Sequence, residues 1–289
     1  LLLVEAEDVA RMMPPREPDT HKRAAGYAVA VGGSRLMTGA VGLAGAAAYR
    51  AGAGLVAVAV PEGILQVAQA AVREAVFVAL PETDAGSVAG GSHRLDEMLG
   101  QADALAIGPG MTTDERTASW IRELVRSSEI PVVLDADGLN AFAGRADDLA
   151  DRKAEVILTP HAGEFARLAG IGTGEIETDR VRHVRDLAAR TSATVLLKGS
   201  RTLVGTPDGA VRINPTGGPF LATGGTGDVL TGMIAGLLAR GCSPFDAGSA
   251  AAYVHGLAGR LAADERGDGT TATDVLERVP RAMREVVGG

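Results

Sequence analysis

Residues 223–241 read TGGTGDVLTGMIAGLLARG, a glycine-rich turn that leads to one carboxylate, Asp228, at the start of an apolar helical run. The first N–H groups of a helix have no partner within it, and the helix dipole adds positive potential, so such a turn suits a phosphate group. Gly224, Gly225 and Gly227 permit positive φ angles and close approach to an anion. The stretch therefore predicts an anion hole at a helix N-terminus.

Asp228 decides what kind of anion hole this is. A carboxylate repels a bound phosphate, but it suits a base that takes a proton from a hydroxyl attacking phosphorus. Phosphoryl transfer is therefore the first hypothesis. The alternative is that Asp228 only caps the helix, since Asp is favoured at the N-cap and in the first turn, and that Gly232 and Gly236 serve helix packing alone.

Composition narrows the class of protein. The 289 residues permit one large α/β domain or two smaller ones, with a core of Val, Leu, Ile and Ala because only 3% are aromatic. The net charge of −8 argues against partners such as nucleic acid or an anionic membrane. A single cysteine, Cys242, excludes an intrachain disulfide and fits a reducing cytoplasm. The apolar window 41–60 is interrupted by Arg50, so we expect a buried helix and strand there, and no export signal is visible at the N-terminus.

Strands and helices are predicted to alternate along most of the chain. Runs that are apolar throughout indicate strands buried on both faces, and their alternation with helical patterns predicts a mostly parallel sheet between two helical layers. The predicted strands are 27–31, 55–60, 75–80, 104–107, 131–135, 155–158 and 194–198, with a hairpin of strands around 202–204 and 210–213. The predicted helices are 39–51, 113–126, 163–168, 179–190, 228–240, 244–263 and 273–287. We expect one domain over 1–289, with 1–20 as a peripheral lead-in.

The notable motifs follow predicted strands, and ligands bind at the carboxyl ends of strands in open parallel sheets. The motifs are GGSRLMTGA (32–40), GPG (108–110), DADGLN (135–140), TPHAGE (159–164) and KGSRT (198–202). GGSRLMTGA lacks the lysine of a Walker loop and the spacing of the dinucleotide fingerprint, so it is either a tight turn or a ligand-contacting loop. Their shared placement favours one site at this edge.

Several polar residues in these motifs have two interpretations. His161 is either a structural histidine or a site residue. Glu164 is either a capping-box carboxylate or an outer-shell organiser of Mg²⁺ and phosphate. Asp135 and Asp137 occur among turn formers. Lys198 either neutralises a nucleotide phosphate or is an ordinary solvated lysine.

Taken together, these motifs make the chain similar to the ADP/ATP-dependent NAD(P)H-hydrate dehydratase family of the ribokinase-like superfamily. The glycine-turn aspartate alone is shared with sugar and vitamin kinases, whereas TPHAGE and PVVLDADGLN favour the dehydratase. The similarity covers nearly the whole chain, in HK (21–22), GGSRLMTGA (32–40), RAGAGLV (50–56), IGPG (107–110), PVVLDADGLN (131–140), LTPHAGEFARL (158–168), LLKGSRT (196–202) and NPTGGPFLATGGTGDVLTGMIAG (214–236).

This resemblance implies a ribokinase-like three-layer sandwich and a set of site residues. Asp228 is the expected catalytic base, with Mg²⁺ as cofactor and Glu164 as a candidate outer-shell residue for the metal. The residues expected to contact the hydrated dinucleotide are Ala40, Gly110, His161 and Asp228. Those expected to hold ADP or ATP are Lys198, Gly199, Ser200, Arg201, Thr202 and Gly227. Arg23 and Met37 depart from the family pattern, and we expect both at the substrate-side rim.

The resemblance implies metabolite repair, in which the S forms of NADHX and NADPHX are dehydrated to NADH and NADPH. The C6 hydroxyl would be phosphorylated from ADP or ATP, and phosphate would then be eliminated. The resemblance also implies a homo-oligomer, for example a homotetramer, and functional pairing with an NAD(P)HX epimerase. The alternatives are a small-molecule kinase of the hydroxymethylpyrimidine or hydroxyethylthiazole type and a nucleotide-binding sensor without catalysis.

Overall fold

One mixed sheet is the central layer of residues 1–288, the part of the chain that the computed structural model describes. Its strands are β1 (Leu2–Leu3), β2 (Tyr27–Val31), β3 (Leu55–Pro61), β4 (Val76–Leu80), β5 (Ala104–Ile107), β6 (Val132–Leu134), β7 (Val156–Leu158), β8 (Thr194–Leu197), β9 (Leu203–Gly205) and β10 (Val211–Ile213). Their order is β1-β10-β9-β8-β7-β6-β5-β2-β3-β4. The pairs from β8 across to β4 are parallel, and β9 pairs antiparallel with both β8 and β10.

Helices cover both faces of this sheet. They are α1 (Ala6–Met12), α2 (Gly39–Arg50), α3 (Leu65–Ala71), α4 (His93–Leu99), α5 (Glu115–Ser127), α6 (Asp137–Asn140), α7 (Ala162–Ala169), α8 (Thr173–Ile176), α9 (Arg180–Thr191), α10 (Thr226–Ala239), α11 (Pro244–Arg266) and α12 (Ala272–Val287). Polar side chains cap several of them. The carboxylate of Asp114 accepts the Arg116 and Thr117 N–H groups at α5, and the hydroxyl of Ser243 accepts the Asp246 N–H at α11.

The core has two halves, one on each face of the sheet. Alternate residues of each strand point to opposite faces. Val29 therefore belongs to the half of the core that includes α4, α5, α7 and α9, while Ala28 and Ala30 belong to the half that includes α2, α10, α11 and α12. Both sets of strand residues are buried. This explains why the strands are apolar throughout, and it confirms the predicted three-layer arrangement with a mostly parallel sheet.

Helix α10 lies deep in one helical layer, where its glycines allow close packing. A Cβ on Gly232 would lie 2.0 Å from the carbonyl oxygen of Ala44, and one on Gly236 would lie 2.6 Å from that of Ala48. Both glycines therefore allow α10 to approach the backbone of α2. The packing role considered for them in the sequence is confirmed, and it fixes the N-terminus of α10 at the edge of the sheet.

The structure also contains elements that the sequence patterns did not predict. They are β1, α1, α3, α4 and the short helices α6 and α8. In the segment expected as a lead-in, β1 pairs in parallel with β10, and Val4, Val9 and Met13 are buried. Strand β1 is therefore the outer strand of the sheet beside β10.

Candidate functional site

The carboxyl ends of the parallel strands bring the predicted motifs together. Asp135 follows β6, Thr159 follows β7 and Lys198 follows β8, and these strands are neighbours in the sheet. The GPG motif follows β5, where Gly108 has a φ of +124° and a Cβ would lie 1.9 Å from the Asp135 carbonyl oxygen. Gly108 thus lets two strand ends approach each other. The expected clustering at this edge is confirmed.

A buried ion pair links two of these strand ends. Lys198 Nζ donates to Asp135 Oδ1 at 2.8 Å, and Asp135 Oδ2 accepts the Thr231 hydroxyl of α10 at 2.6 Å. Glu164 Oε2 lies 3.8 Å from the same Nζ. Burial by itself would raise the pKa of Asp135, but the charge and hydrogen bond of Lys198, together with the hydrogen bonds of Thr231 and Thr159, hold this pKa below its usual value. The interpretation of Lys198 as an ordinary solvated lysine is wrong, because its side chain is only 20% exposed and is paired.

Asp228 stands in the first turn of α10, beside this cluster. Burial raises its pKa to about 7, with further contributions from the charges of Asp135, Asp137 and Glu164, while Lys198 acts in the opposite direction. The helix N-terminus therefore holds a carboxylate that changes protonation near neutral pH. Such a group can both take and hold a proton at working pH, which a fully exposed aspartate does poorly.

The glycine turn before Asp228 uses its glycines in different ways. Gly225 has a φ of +91° and caps α10, and a Cβ there would press on Leu43 and Ala272. Gly227 lies within the helix, and a Cβ there would be 3.5 Å from Lys198 Nζ and 3.9 Å from Asp135 Oδ2. Of the three glycines that permit positive φ, Gly224, Gly225 and Gly227, only Gly225 uses it. Gly227 instead provides space above the ion pair.

A cavity of about 560 Å³ adjoins Gly227, a size that accommodates a drug-sized ligand or a mononucleotide. Its walls include all six residues expected to hold the adenine nucleotide, namely Lys198, Gly199, Ser200, Arg201, Thr202 and Gly227. Residues of the segment 214–222, the first turns of α10 and the middle of α11 form the rest of the walls. The structure thus places the lysine, the KGSRT loop and the glycine turn around one space.

The wall of this cavity opposite the loop 198–202 contains Asn214, Thr216 and His255, for which the sequence patterns predicted no role. Asn214 donates to the Ala252 carbonyl at 3.1 Å, and the Thr216 hydroxyl donates to that of Tyr253 at 2.8 Å, so the loop is fastened to α11. His255 also lines the cavity, and burial lowers its pKa to about 4. The proline and glycines of NPTGG signal a loop after a strand, but a histidine inside an alanine-rich helix carries no pattern of its own.

Some residues expected on the substrate side form a second group at the same edge. Ala40 is the second residue of α2, and a Cβ on Gly110 would lie 3.2 Å from that of Ala40 and 2.9 Å from the Met37 carbonyl oxygen. These residues therefore meet at one rim, and that this rim faces the substrate stays a prediction. Arg23 is elsewhere, since its guanidinium pairs with the carboxylate of Asp103, which precedes β5 at the amino ends of the strands. The expectation that Arg23 lies at the substrate-side rim is wrong.

His161 and Glu164 form a reciprocal cap at the start of α7. His161 Nδ1 accepts the Gly163 N–H at 2.9 Å, and Glu164 Oε2 accepts the His161 N–H at 2.8 Å. Because Nδ1 is an acceptor, the ring proton resides on Nε2, which lies 3.4 Å from Glu164 Oε1. The imidazole is 55% exposed while the carboxylate is 7% exposed. The capping interpretation of Glu164 is confirmed, and the exposed ring of His161 remains free to contact a ligand.

Asp135 and Asp137 point to different partners because the residue between them has an unusual backbone. Ala136 has a φ of +47°, a region that non-glycine residues seldom adopt. Asp137 Oδ2 accepts the Thr112 N–H at 2.8 Å, and Oδ1 accepts the Asn140 side-chain amide at 3.1 Å. Asp137 thereby ties the loop after β5 to α6, which makes it a turn residue that also adds negative charge near Asp228.

The carboxylates of the site do not form a direct metal cage. Within residues 1–288, no three His, Cys, Asp or Glu side chains are grouped so as to hold a metal ion. Asp135 and Glu164 share Lys198, as described above. A divalent cation at this edge would therefore be held chiefly by phosphate oxygens and water, as Mg²⁺ often is at nucleotide sites.

The fold and this site define a ribokinase-like protein. A family model described as NAD(P)H-hydrate dehydratase matches residues 28–281, and the chain belongs to that family. It is 44% identical over 276 residues to the bifunctional NAD(P)H-hydrate repair enzyme of Moorella thermoacetica, covering 95% of this chain and 52% of that protein. The chain thus spans about half the length of the bifunctional relatives that it matches.

Two further relatives match along nearly their whole length. The ADP-dependent (S)-NAD(P)H-hydrate dehydratase of Xanthomonas campestris is 35% identical over 284 residues, covering 96% of this chain and 95% of that protein. The crystal structure of the ADP/ATP-dependent NAD(P)H-hydrate dehydratase of Bacillus subtilis, co-crystallised with ATP and Mg²⁺, has a TM-score of 0.83 at 30% identity. That match covers 99% of this chain and 98% of the other. Similarity therefore extends over nearly the whole chain.

None of the helices within residues 1–288 combines the length and apolarity needed to cross a bilayer.

Proposed function

We propose that this chain dehydrates the S forms of NADHX and NADPHX to NADH and NADPH, with ADP or ATP as the phosphoryl donor. The observation that carries the proposal is Asp228. It stands at a helix N-terminus beside Gly227 of the nucleotide-sized cavity, with a pKa of about 7. The family membership and the two full-length relatives support the same reaction.

The first step of the proposed reaction is phosphoryl transfer. The substrate carries a hydroxyl on C6 of the reduced nicotinamide ring, and Asp228 accepts its proton as the oxygen attacks the terminal phosphorus of the nucleotide. The new oxygen–phosphorus bond forms while the bond to the leaving nucleotide breaks, and AMP or ADP departs with that electron pair. The N–H groups of the α10 turn and the ammonium of Lys198 stabilise the charge on the transferred group.

The second step is elimination, which explains why a phosphoryl transfer leads to dehydration. Hydroxide is a poor leaving group, whereas phosphate is a good one. The lone pair of the ring nitrogen expels phosphate from C6, and a proton is then lost from the adjacent C5 to restore the ring double bond. A substrate without that nitrogen would stop at the phosphate ester, as in a small-molecule kinase.

The proposed roles of the site residues follow from their positions. Lys198 to Thr202 and Gly227 line the cavity and would hold the nucleotide, while Ala40, Gly110 and His161, which do not line it, would contact the dinucleotide. Mg²⁺ would bind through the nucleotide phosphates, with Glu164 in its outer shell, and would supply charge neutralisation during transfer. The buried carboxylate of Glu164 beside Lys198 fits this outer-shell role.

The test is a product assay with purified protein, hydrated NADPH and either ADP or ATP. We expect absorbance of reduced nicotinamide to appear together with one free phosphate for each NADPH formed. A stable phosphomonoester instead would indicate a kinase of the hydroxymethylpyrimidine or hydroxyethylthiazole type. Absence of turnover with nucleotide binding intact would indicate a sensor. Asp264→Asn, which changes an exposed aspartate of α11, is the matched control for Asp228→Asn.

The assembly and setting of the reaction are part of the same proposal. The bifunctional relatives favour functional pairing with an NAD(P)HX epimerase, which would convert the R form into the form consumed here. We also propose a homo-oligomer, for instance a homotetramer, acting in the cytoplasm. Size-exclusion chromatography with light scattering measures the oligomeric state. Addition of an epimerase to a mixture of both epimers tests the pairing, which predicts complete rather than half conversion.

A further inference from the structure

Arg180, the first residue of α9, lies against the loop 198–202 although it is far from it in sequence. Its Nη1 donates to the Ser200 carbonyl at 2.6 Å. A Cβ on Gly199 would lie 3.0 Å from its Nη2, so the guanidinium fits against a residue that has no side chain. The side chain of Arg180 is 19% exposed. This contact joins α9 to the middle of the loop.

The backbone of this loop requires support. Gly199 has a φ of +152° and Arg201 a φ of +55°, and the second is uncommon for a residue with a side chain. Both ends are anchored, since the Lys198 N–H donates to the Pro160 carbonyl at 2.8 Å and the Asn214 N–H to that of Thr202 at 2.8 Å. The middle of the loop is held from outside by the bond from Arg180.

The charged guanidinium of Arg180 interacts mainly with the Ser200 carbonyl. The nearest paired acid is Glu177, whose carboxylate lies 3.9 Å from Nε and is 63% exposed, so the ion pair is long and solvated. A charged donor forms a stronger hydrogen bond to a carbonyl than a neutral one does. The guanidinium is therefore placed to fix the loop rather than to neutralise an acid.

We propose that Arg180 is a positioning residue for nucleotide binding, because it holds the loop 198–202 in the conformation in which all five residues line the cavity. This inference rests on the proposed function for its assignment of that cavity to the adenine nucleotide. Arg180 acts through the Ser200 carbonyl and the Gly199 backbone. A cavity wall whose backbone is preorganised binds its ligand without a further cost in loop ordering.

The test compares Arg180→Met and Arg180→Lys with Arg182→Met, a control at an exposed arginine two residues along the same helix. Calorimetry measures ADP affinity without turnover, and hydrogen exchange of the nucleotide-free protein measures the order of the loop amides. For Arg180→Met we expect ADP affinity to fall about 10-fold or more, since a hydrogen bond from a charged donor is lost. We also expect faster exchange at residues 199–202, and an intermediate effect for Arg180→Lys.

Kinetics separate positioning from catalysis. In Arg180→Met the KM for ADP should rise while kcat at saturating ADP and the KM for the hydrated dinucleotide stay near those of wild type. Unchanged ADP affinity would overturn the proposal, and so would weakened affinity with unchanged loop exchange, which would indicate a direct electrostatic effect. If Arg180→Met does not fold, the same criteria apply to Arg180→Lys. Failure of wild-type protein to bind ADP would count against the proposed function, while the exchange data would still test the loop contact.

Discussion

Asp228→Asn is expected to abolish turnover and at the same time to stabilise the fold at neutral and alkaline pH. Asp228 is partly buried among the carboxylates of Asp135, Asp137 and Glu164, with Lys198 as the opposing charge. Ionising a fourth carboxylate there is unfavourable, because burial and like charges both act against it. The amide of asparagine has a similar shape and no charge, so it removes this cost together with the base.

The size of the effect follows from the pKa shift. The pKa of Asp228 rises from 3.8 to about 7 on folding, and each unit corresponds to 1.36 kcal/mol, which gives an upper value of about 4 kcal/mol. Below pH 3.8 the carboxyl is protonated in both states and the cost is absent. Stability is lost as the pH rises through the folded-state pKa, and the full cost is present above pH 7. Because Asp228 retains some solvent contact, we expect a gain of about 1–3 kcal/mol for Asp228→Asn at pH 8.

Urea unfolding of both proteins at pH 5 and pH 8 measures this gain. The difference in unfolding free energy between Asp228→Asn and wild type should grow by more than about 1 kcal/mol from the lower to the higher pH. Groups that titrate alike in the two proteins cancel in this comparison, and Asp264→Asn should show no such growth. Turnover should fall by about 10²- to 10⁴-fold, the usual effect of losing a positioned base. The reasoning would be refuted if the difference in unfolding free energy did not change with pH, or if wild type were the more stable protein at pH 8. Either result would mean that the pKa of Asp228 is not raised by folding.

Three further predictions concern the same edge of the sheet. The value of kcat/KM should rise with pH through about pH 7 as Asp228 ionises. In Asp135→Asn this rise should occur at lower pH, because one repelling charge is gone, and pH-rate profiles of both proteins measure the difference. Gly227→Ala should be tolerated, since its Cβ would make ordinary contacts with the ion pair, whereas the extra methyl groups of Gly227→Val should weaken ADP binding about 10-fold or more, as calorimetry would show. His161→Ala should lose about 1 kcal/mol of helix capping and His161→Asn should keep it, but both should raise the KM for the dinucleotide if the ring contacts substrate. A normal KM in either folded variant would leave His161 with capping alone.

The sequence predicted the layers of the fold because the strands are buried on both faces. Two strands, Tyr27–Val31 and Ala104–Ile107, have the predicted bounds, and the others differ by a residue or two at their ends. The helices α3 and α4 were missed because each has only seven residues, which leaves little periodicity to detect. Strand β1 was missed for a different reason, since two leucines become a strand only by pairing with β10.

The sequence predicted which residues stand at the edge of the candidate site, but it did not predict their electrostatics. A loop motif shows which residues stand at a strand end, so Lys198 and Asp228 could be selected from the sequence. The pairing of Lys198 with Asp135 joins positions 63 residues apart, and Thr231 reaches the same carboxylate from α10. The raised pKa of Asp228 depends on the sum of these charges, which no single motif contains.

The packing of α10 explains why the ionisation of Asp228 stays unfavourable in the folded protein. A carboxylate at a flexible helix end would turn towards water and regain its ordinary pKa. Helix α10 is instead buried on nearly every side, and Gly232 sets its backbone against that of Ala44. Thr231, one turn after Asp228, is fixed to Asp135, so the first turn cannot move away from the buried ion pair without breaking that bond. The same close packing that stabilises the fold therefore holds Asp228 among like charges, and this placement gives the base a pKa suited to proton transfer near neutral pH.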